Sequence, residues 1–254
     1  MMRSRFTRRS AIALAIVVTA AFIPVRAHAL GDLTSPRNAS VDARGAKTIQ
    51  VIAGAGDLRI EGRAGISQVQ VHGTARASSR GRLDDIKLIA ERRGDVVYIK
   101  ADIPENNGGF FSRDWNDNMS LDLVIEVPQS VALDVEDGSG DSKFTNVGPL
   151  KLVDGSGGIE IRGARGNVSV QDGSGDMVIE NVEGSVRITD GSGGISASNV
   201  GGDFIVEEDG SGSIDVSHIA GKFTVEEKGS GSISSRDVKG KIDIPERHRR
   251  RSGD

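Results

Sequence analysis

The chain has 254 residues, no cysteine and a formal net charge of −4 at pH 7. The lack of cysteine excludes disulfide bonds and a lipid-anchored cysteine. The acidic balance disfavours nucleic acid binding, because phosphate contacts need a basic face. Glycine is abundant at 34 residues and aromatic residues make up only 4%, which favours thin, regularly stacked layers joined by glycine-rich turns.

Residues 1–29 have the pattern of a secretory signal peptide. A basic start with four arginines precedes an apolar run at 11–23, and Ala-His-Ala at 27–29 fits a cleavage site. We expect cleavage after Ala29, by general secretion rather than by the twin-arginine route that Arg8 and Arg9 suggest. The apolar run is too short to span a membrane. The mature chain is therefore expected in the periplasm, at the cell surface or in the medium, with no transmembrane segment.

Residues 30–128 are predicted to form an irregular N-terminal part of a single solenoid. Ile49 and Val51, the Gly-Ala-Gly-Asp sequence at 54–57, then Leu58 and Ile60 have the spacing of a unit that recurs further along the chain. Alternating apolar residues predict more strands, at 68–79, 86–90, 96–101 and 121–127. The segment 105–120 is the one non-repetitive insertion.

An internal repeat occupies residues 129–245. Asp-Gly-Ser-Gly begins at five positions and Lys-Gly-Ser-Gly at a sixth, 17 to 19 residues apart: Asp137, Asp154, Asp172, Asp190, Asp209 and Lys228. Alternating apolar pairs stand before and after these turns, and a fifth apolar residue follows. A period of two indicates half-buried strands. Each unit is therefore predicted to be a strand, a turn, a second strand and a second glycine-rich turn.

One unit cannot fold alone, because five buried apolar groups at ~1.5 kcal/mol each do not offset the entropy of ordering the whole unit. The units must stack as coils about 4.8 Å apart. We predict an all-β, single-domain parallel β-helix of two-strand coils, right-handed because parallel connections usually are. A left-handed hexapeptide helix would need an apolar residue every six positions, and propeller blades need about 40 residues. Pro245 should end the last strand, and the tail 246–254 is expected to be disordered.

The order of these features resembles a bacterial adhesin-domain family, whose members are repeat β-solenoid proteins of unknown function. The resemblance rests on the signal peptide, the opening Gly-Ala-Gly-Asp coil, a strand ending in Glu-Val-Pro at 126–128 and the tandem Asp-Gly-Ser-Gly coils. It covers nearly all of the mature chain. It implies a β-solenoid in the envelope or at the surface, and it supplies no catalytic residues.

The five turn aspartates are candidate calcium ligands. Stacked ~4.8 Å apart they would repel by roughly 0.9 kcal/mol even in water, and calcium prefers clustered oxygens. The favoured alternative is that each carboxylate accepts hydrogen bonds from the amides of its own turn. Lys228 replaces the sixth aspartate, and Asp141 and Asp176, which could add ligands, have Gly158 and Gly194 as counterparts. No cofactor is therefore predicted, with calcium as the alternative.

Catalysis is not expected. The six turn serines are equivalent and no histidine stands at a matching offset, so they are predicted to be turn residues rather than nucleophiles. His72, His218 and His248 lack metal-ligand spacing. The acidic pairs 207–208 and 226–227 leave a polysaccharide-active enzyme as an alternative, although their position at coils that gain a residue favours an acidic bulge in solvent.

Two segments outside the repeat are candidates for binding. Phe110, Phe111 and Trp115 could contact a glycan or a protein, or could instead cover the N-terminal end of the solenoid. The basic residues 247–251 could hold an anionic polymer or discourage strand addition. The sequence thus predicts a non-catalytic exported scaffold that binds an envelope or surface component. A calcium-stabilised structural module is a further alternative, and open solenoid ends would permit self-association.

Overall fold

The computed structural model describes residues 33–104 and 119–245. Within these ranges there are 20 strands and one short helix. Their bounds in chain order are Leu33–Asp42 (β1), Thr48–Ile52 (β2), Leu58–Arg63 (β3), Gln68–Ala77 (β4), Arg80–Asp85 (α1), Lys87–Arg93 (β5), Val96–Asp102 (β6), Met119–Pro128 (β7), Ala132–Asp137 (β8), Ser142–Val147 (β9), Leu150–Asp154 (β10), Ile159–Ala164 (β11), Val168–Asp172 (β12), Met177–Val182 (β13), Val186–Asp190 (β14), Ile195–Val200 (β15), Phe204–Ser211 (β16), Ile214–Ile219 (β17), Phe223–Ser230 (β18), Ile233–Val238 (β19) and Ile242–Asp243 (β20).

The strands form two ten-stranded sheets that enclose the core. Sheet A has the order β1-β4-β7-β3-β9-β11-β13-β15-β17-β19, and sheet B has the order β20-β18-β16-β14-β12-β10-β8-β2-β6-β5. From β8 onward each coil gives one strand to sheet B and the next to sheet A, and six such coils stack with parallel pairing throughout. The predicted all-β solenoid is confirmed, and its right hand stays a prediction.

The repeat sets the register of the coils. Leu150 pairs with Leu133 on one side and with Val168 on the other, as the alignment of the repeats predicts. The predicted apolar residues before and after the turns are buried, and among the fifth apolar positions only Val238 in the last coil is partly exposed. Alternation therefore places one continuous apolar core between the two sheets.

The Asp-Gly-Ser-Gly turns bring successive coils into very close contact. The second glycine of each turn has a positive φ, for example +145° at Gly175. A Cβ atom on Gly175 would lie 1.8 Å from the carbonyl oxygen of Gly157 in the preceding coil. Because no side chain fits there, the turn sequence is a packing requirement as well as a turn signal.

The N-terminal part also contains two solenoid coils, but they do not follow chain order. The β2–β3 coil stacks directly on β8–β9, in the register predicted from the Gly-Ala-Gly-Asp sequence. The β6–β7 coil, later in the chain, stacks on the outer side of β2–β3. The chain therefore places a later coil outside an earlier one before it begins the regular stack.

Antiparallel strands cover that end of the solenoid. β4 pairs with both β7 and β1, and β5 pairs with β6, all in antiparallel orientation. Arg37 on β1 donates from Nη2 to the carbonyl of Leu83 at 2.7 Å and from Nε to that of Ile86 at 2.9 Å. These bonds tie α1 to the edge strand. α1 has six residues, and the described ranges contain no helix long and apolar enough to cross a bilayer.

Candidate functional site

The five turn aspartates form a column inside the solenoid. The first four end their strands of sheet B and Asp209 lies within β16, and each is in register with its counterpart in the neighbouring coil. Their relative exposure is only 1% to 6%, and Lys228, which ends the column, is 1% exposed. We call Asp137, Asp154, Asp172, Asp190 and Asp209 the aspartate column.

Hydrogen bonds within the turns satisfy only part of this column. Gly138 N donates to Asp137 Oδ1 at 2.8 Å, and the Ser142 hydroxyl donates to Asp137 Oδ2 at 2.6 Å. Ser174 N donates to Asp172 at 3.1 Å. At Asp154 and Asp190 the amides of Gly155 and Ser192 interact with the carboxyl groups, but the geometry is short of a well-formed hydrogen bond. The predicted bonding to turn amides is therefore well formed at Asp137 and Asp172 and weaker at Asp154 and Asp190.

Burial changes the ionisation of these carboxyl groups. Removal from water, together with the adjacent carboxylates of Asp137 and Asp172, raises the pKa of Asp154 to about 7. The pKa of Asp190 is also raised to about 7, first by burial and then by its neighbours Asp172 and Asp209. Burial raises the pKa of Asp137 and Asp172 as well. The column therefore holds protons more tightly than the same carboxyl groups in an unfolded chain.

The last coil neutralises one of these charges with a lysine. Lys228 Nζ lies 3.2 Å from Asp209 Oδ2 and donates to the carbonyl of Gly212 at 2.8 Å. It also donates to the carbonyl of Ser230. A buried ion pair needs such additional bonds to offset desolvation. Among the described residues no three His, Asp or Glu side chains converge as metal ligands, so any ion in the column would also need backbone oxygens.

A second column lies on the outside, where each coil leaves sheet A. The backbone there is in the left-handed region, with φ between 51° and 80° at one residue in each coil. Non-glycine residues rarely adopt this conformation, and asparagine tolerates it best. We call this column the asparagine corner: Asn146, Gly163, Asn181, Asn199, His218 and Asp237.

The asparagine corner lines an open groove of about 470 Å³ that crosses five coils. Its asparagine side chains are exposed, and Asn199 Nδ2 donates to Asn181 Oδ1 at 3.1 Å. His218 Nε2 lies 3.7 Å from Asp237 Oδ2, and both side chains are more than half exposed. The groove therefore presents a row of amides, with an imidazole at one end, to solvent.

Sequence reasoning missed the asparagine corner although a signal was present. In every regular coil a residue that tolerates left-handed backbone stands immediately before the fifth apolar position, as in Asn181-Val182 and Asn199-Val200. The predicted repeat unit was defined by its apolar residues alone. The small polar residue beside them was therefore overlooked.

The other predicted acidic candidates have structural contacts. Asp141 Oδ1 accepts a hydrogen bond from Gly158 N, and Asp176 Oδ1 accepts one from Gly194 N, both at 2.9 Å. Both aspartates are exposed, so they lie outside the buried column. At the predicted bulge the ladder skips Glu207, which pairs with Arg187 on the solvated surface.

Several predicted site residues lie outside the described residues. These are Phe110, Phe111 and Trp115 in the insertion, and the basic tail beginning at Arg247. The chain leaves β6 and returns at β7, so the insertion connects a strand of sheet B to a strand of sheet A, as the Asp-Gly-Ser-Gly turns do in other coils. The roles of these residues stay predictions.

The chain is similar to several solved bacterial structures, although no family model and no curated protein matches it. A candidate adhesin of Bacteroides fragilis is 13% identical, with a TM-score of 0.41 over 84% of this chain and 97% of that one. A candidate lipid binding protein of Parabacteroides distasonis is 15% identical, with a TM-score of 0.37 over 84% and 97%. A candidate cell adhesion protein of Clostridium sporogenes is 13% identical, with a TM-score of 0.34 over 84% and 99%.

Two of these neighbours are described as adhesion proteins and one as a lipid binding protein. The fold assignment does not depend on them, because the parallel register of this chain establishes the solenoid directly. Function is therefore argued from the chain's own surfaces.

Proposed function

We propose that this protein is an exported, non-catalytic envelope or surface protein that binds an extended polar ligand, such as a glycan chain, along the asparagine corner. The observation that carries the proposal is a groove across five coils that is lined by three exposed side-chain amides and one imidazole. Because the coils repeat every ~4.8 Å, the row from Asn146 to His218 extends over about 19 Å. A groove of that length suits a polymer better than a compact metabolite.

The chemistry of the groove favours a ligand rich in hydroxyl groups. Each asparagine amide offers two donors and one acceptor oxygen, so it can pair with a hydroxyl in either direction. Arg165 and Glu183 at the edge of the groove carry opposite charges, so the groove does not select strongly for an ion of one sign. The corner backbone is held by the parallel ladder on both sides, which lowers the entropy lost on binding.

Repetition supports a binding role over catalysis. An active site needs a local exception, whereas the turn serines and corner residues recur from coil to coil. Glu207, one of the predicted acidic candidates for glycan cleavage, is engaged with Arg187 instead. The signal-peptide pattern of residues 1–29 supports export. Phe110, Phe111 and Trp115 are proposed as a second contact with the same envelope or surface component.

Co-sedimentation tests the proposal. The protein, exported and processed in a bacterial host, is mixed with isolated cell envelopes and, separately, with purified cell-wall sacculi. We expect saturable pelleting that weakens about tenfold in the double variant Asn181→Gly, Asn199→Gly. Glycine occupies the corresponding position at Gly163, so the variant removes the amides while the left-handed backbone is kept.

A matched control removes an amide elsewhere. Asn38 is exposed on β1, far from the corner in strand order, and Asn38→Ala should pellet like the unmodified protein. Equal pelleting of the corner variant and this control would exclude the corner as the contact surface. Protein that stays in the supernatant at all concentrations would exclude envelope binding. Deletion of residues 110–115 in the same assay tests the aromatic contact.

A further inference from the structure

The aspartate column has an imbalance of buried charge. Five carboxyl groups and one ammonium group lie at 6% exposure or less in one continuous line. A buried charge without a counter-charge is strongly unfavourable. Lys228 contacts Asp209, and its charge also reaches Asp190 without contact. Each of the four remaining carboxyl groups must bind a proton or lie beside a cation.

The lysine in the last coil shows what kind of group the turn can hold. Its ammonium is surrounded by one carboxylate oxygen and two backbone carbonyls, those of Gly212 and Ser230. Lys228 is in register with Asp209, so it stands at the aspartate position of its own turn. The turn thus forms a cation site made from oxygen atoms, and here a side chain of the protein occupies it.

The same oxygens recur in the other coils. Gly193, Gly175 and Gly157 correspond to Gly212, and each of their carbonyl oxygens would lie 1.6 to 1.8 Å from a Cβ atom on the matching glycine of the next coil. This near-constant spacing shows that the turn geometry is repeated from coil to coil. Every interval between successive aspartates therefore contains two carboxyl groups and turn carbonyls of the kind that hold the ammonium.

The dimensions of an interval suit calcium. Neighbouring strands lie about 4.7–4.9 Å apart, which is twice the roughly 2.4 Å distance from calcium to a ligand oxygen. An ion midway between two stacked carboxylates would therefore contact both. The carboxyl oxygens of Asp154 and Asp190 and Oδ2 of Asp172 form no well-formed hydrogen bond and are available as ligands. Each Asp137 oxygen accepts one hydrogen bond and keeps a second lone pair that can face an ion.

We propose that the aspartate column binds two calcium ions, one between Asp137 and Asp154 and one between Asp172 and Asp190, in the position that the Lys228 ammonium has in the last coil. Two divalent ions neutralise four carboxylates, and Lys228 neutralises the fifth. Backbone carbonyls complete the coordination, since only two carboxyl groups border each interval.

Equilibrium dialysis with radioactive calcium tests this proposal on the exported protein. The protein is unfolded and refolded in a chelator at pH 8, because an enclosed site exchanges slowly, and is then dialysed against calcium. We expect two ions per chain and a Tm that rises by about 5–10 °C per ion at 100-fold excess over Kd. The absence of bound calcium at millimolar concentration, with a Tm that responds to pH alone, would overturn the proposal in favour of bound protons.

A gain-of-site variant provides a second, independent measurement. Lys228→Asp extends the column to six carboxyl groups, so the variant should bind a third ion and should depend on calcium for its stability. The exposed Asp215→Asn change on β17 should leave two ions bound. A Lys228→Asp variant that is equally stable with and without calcium would show that the intervals are not calcium sites.

Discussion

The regular coils and the N-terminal part have different residues at the same inward position of the solenoid. In the regular coils the inward position beside the turn is occupied by the aspartate column. If the register of β8, β2 and β6 is continued by one residue, the same line passes through Ala53 and Ala101. Both alanines are buried. An apolar residue is therefore sufficient for a solenoid layer at this position, and the aspartates are an added feature of the regular coils.

Glycines at contacts between coils also differ from glycines in exposed turns. The turn glycines of the regular coils lie directly against the preceding coil, whereas a Cβ on Gly65 in the N-terminal part would meet nothing within 4 Å. Both have positive φ, at +145° for Gly175 and +75° for Gly65. Backbone strain is therefore common to both sites, and steric overlap with a neighbouring coil is found only at the first.

The largest expected loss of stability comes from a substitution that combines backbone strain with steric overlap, and a second glycine isolates the strain alone. Gly175→Ala should lower the free energy of unfolding by more than about 4 kcal/mol, because its methyl group overlaps a backbone carbonyl that cannot move independently. Gly65→Ala should cost about 1–2 kcal/mol, the cost of left-handed backbone alone. Urea unfolding followed by circular dichroism measures both. Equal losses would mean that the close contact between coils is not rigid.

The apolar core gives the next largest effect. Phe204 is fully buried, with its ring centroid 6.0 Å from that of Phe223 in the next coil. Phe204→Ala should cost about 3–5 kcal/mol in the same unfolding experiment, because it leaves a cavity. Val124 on β7 is 42% exposed, and Val124→Ala should change stability by less than about 0.5 kcal/mol. A small loss at Phe204 would indicate that the coils collapse into the space.

A change of pH should alter the stability of the regular coils, which bury aspartates, and not that of the N-terminal coils, which have alanines at the same position. The expected effect is smaller than that of the core substitution. Asp154 and Asp190 have pKa values of about 7 in the folded chain, above the ordinary value of 3.8. The folded protein therefore binds protons more tightly than the unfolded chain. In a chelator, this stabilisation should be complete below about pH 4 and should be lost as the pH rises through 7.

Thermal unfolding from pH 5 to pH 9 measures this dependence. The double variant Asp154→Asn, Asp190→Asn should have a flatter profile, since the amides keep the size of the side chains and do not ionise in this range. An unmodified protein that becomes more stable between pH 6 and pH 8 in chelator would contradict the assignment of raised pKa values.

The smallest effect is expected on the solvated face of sheet A. Arg162 Nε lies 2.6 Å from Glu160 and its Nη1 lies 2.9 Å from Glu180, but its side chain is 49% exposed. Arg162→Ala should cost less than about 1 kcal/mol in urea unfolding, because exposed ion pairs contribute little. In the N-terminal part, Arg63 forms similar pairs with Glu61 and Glu126, and Arg63→Ala should behave alike.

Repetition explains which parts of the structure were predictable from the sequence. The register from β8 to β19 followed from aligned turns, and the β2–β3 coil followed from its Gly-Ala-Gly-Asp sequence. The outward placement of β6–β7 did not, because antiparallel neighbours such as β4 and β5 carry the same alternation as parallel strands and reveal no partner. Pairing order between non-repeated strands depends on tertiary contacts that a local pattern does not contain.

Burial of the aspartate column could have been predicted by extending the alternation by one step. Leu133 and Val135 face inward, so Asp137 at the next alternate position must face inward as well. Because the aspartate was assigned to the turn and not to the strand before it, its inward orientation was not predicted. The ion pair of Lys228 with Asp209 likewise follows from their equal positions in consecutive turns.

The parallel ladder has a consequence for how the molecule can change in length. The backbone edge that a regular coil presents to the next coil is equivalent to the edge with which it pairs on the preceding coil. The bulge at Glu207 shows that coils of different length can stack on one another. A duplicated coil could therefore be inserted between two existing ones without redesign of its neighbours, and would lengthen the molecule by about 4.8 Å. The solenoid is in this sense modular, with a span that is set by the number of copies.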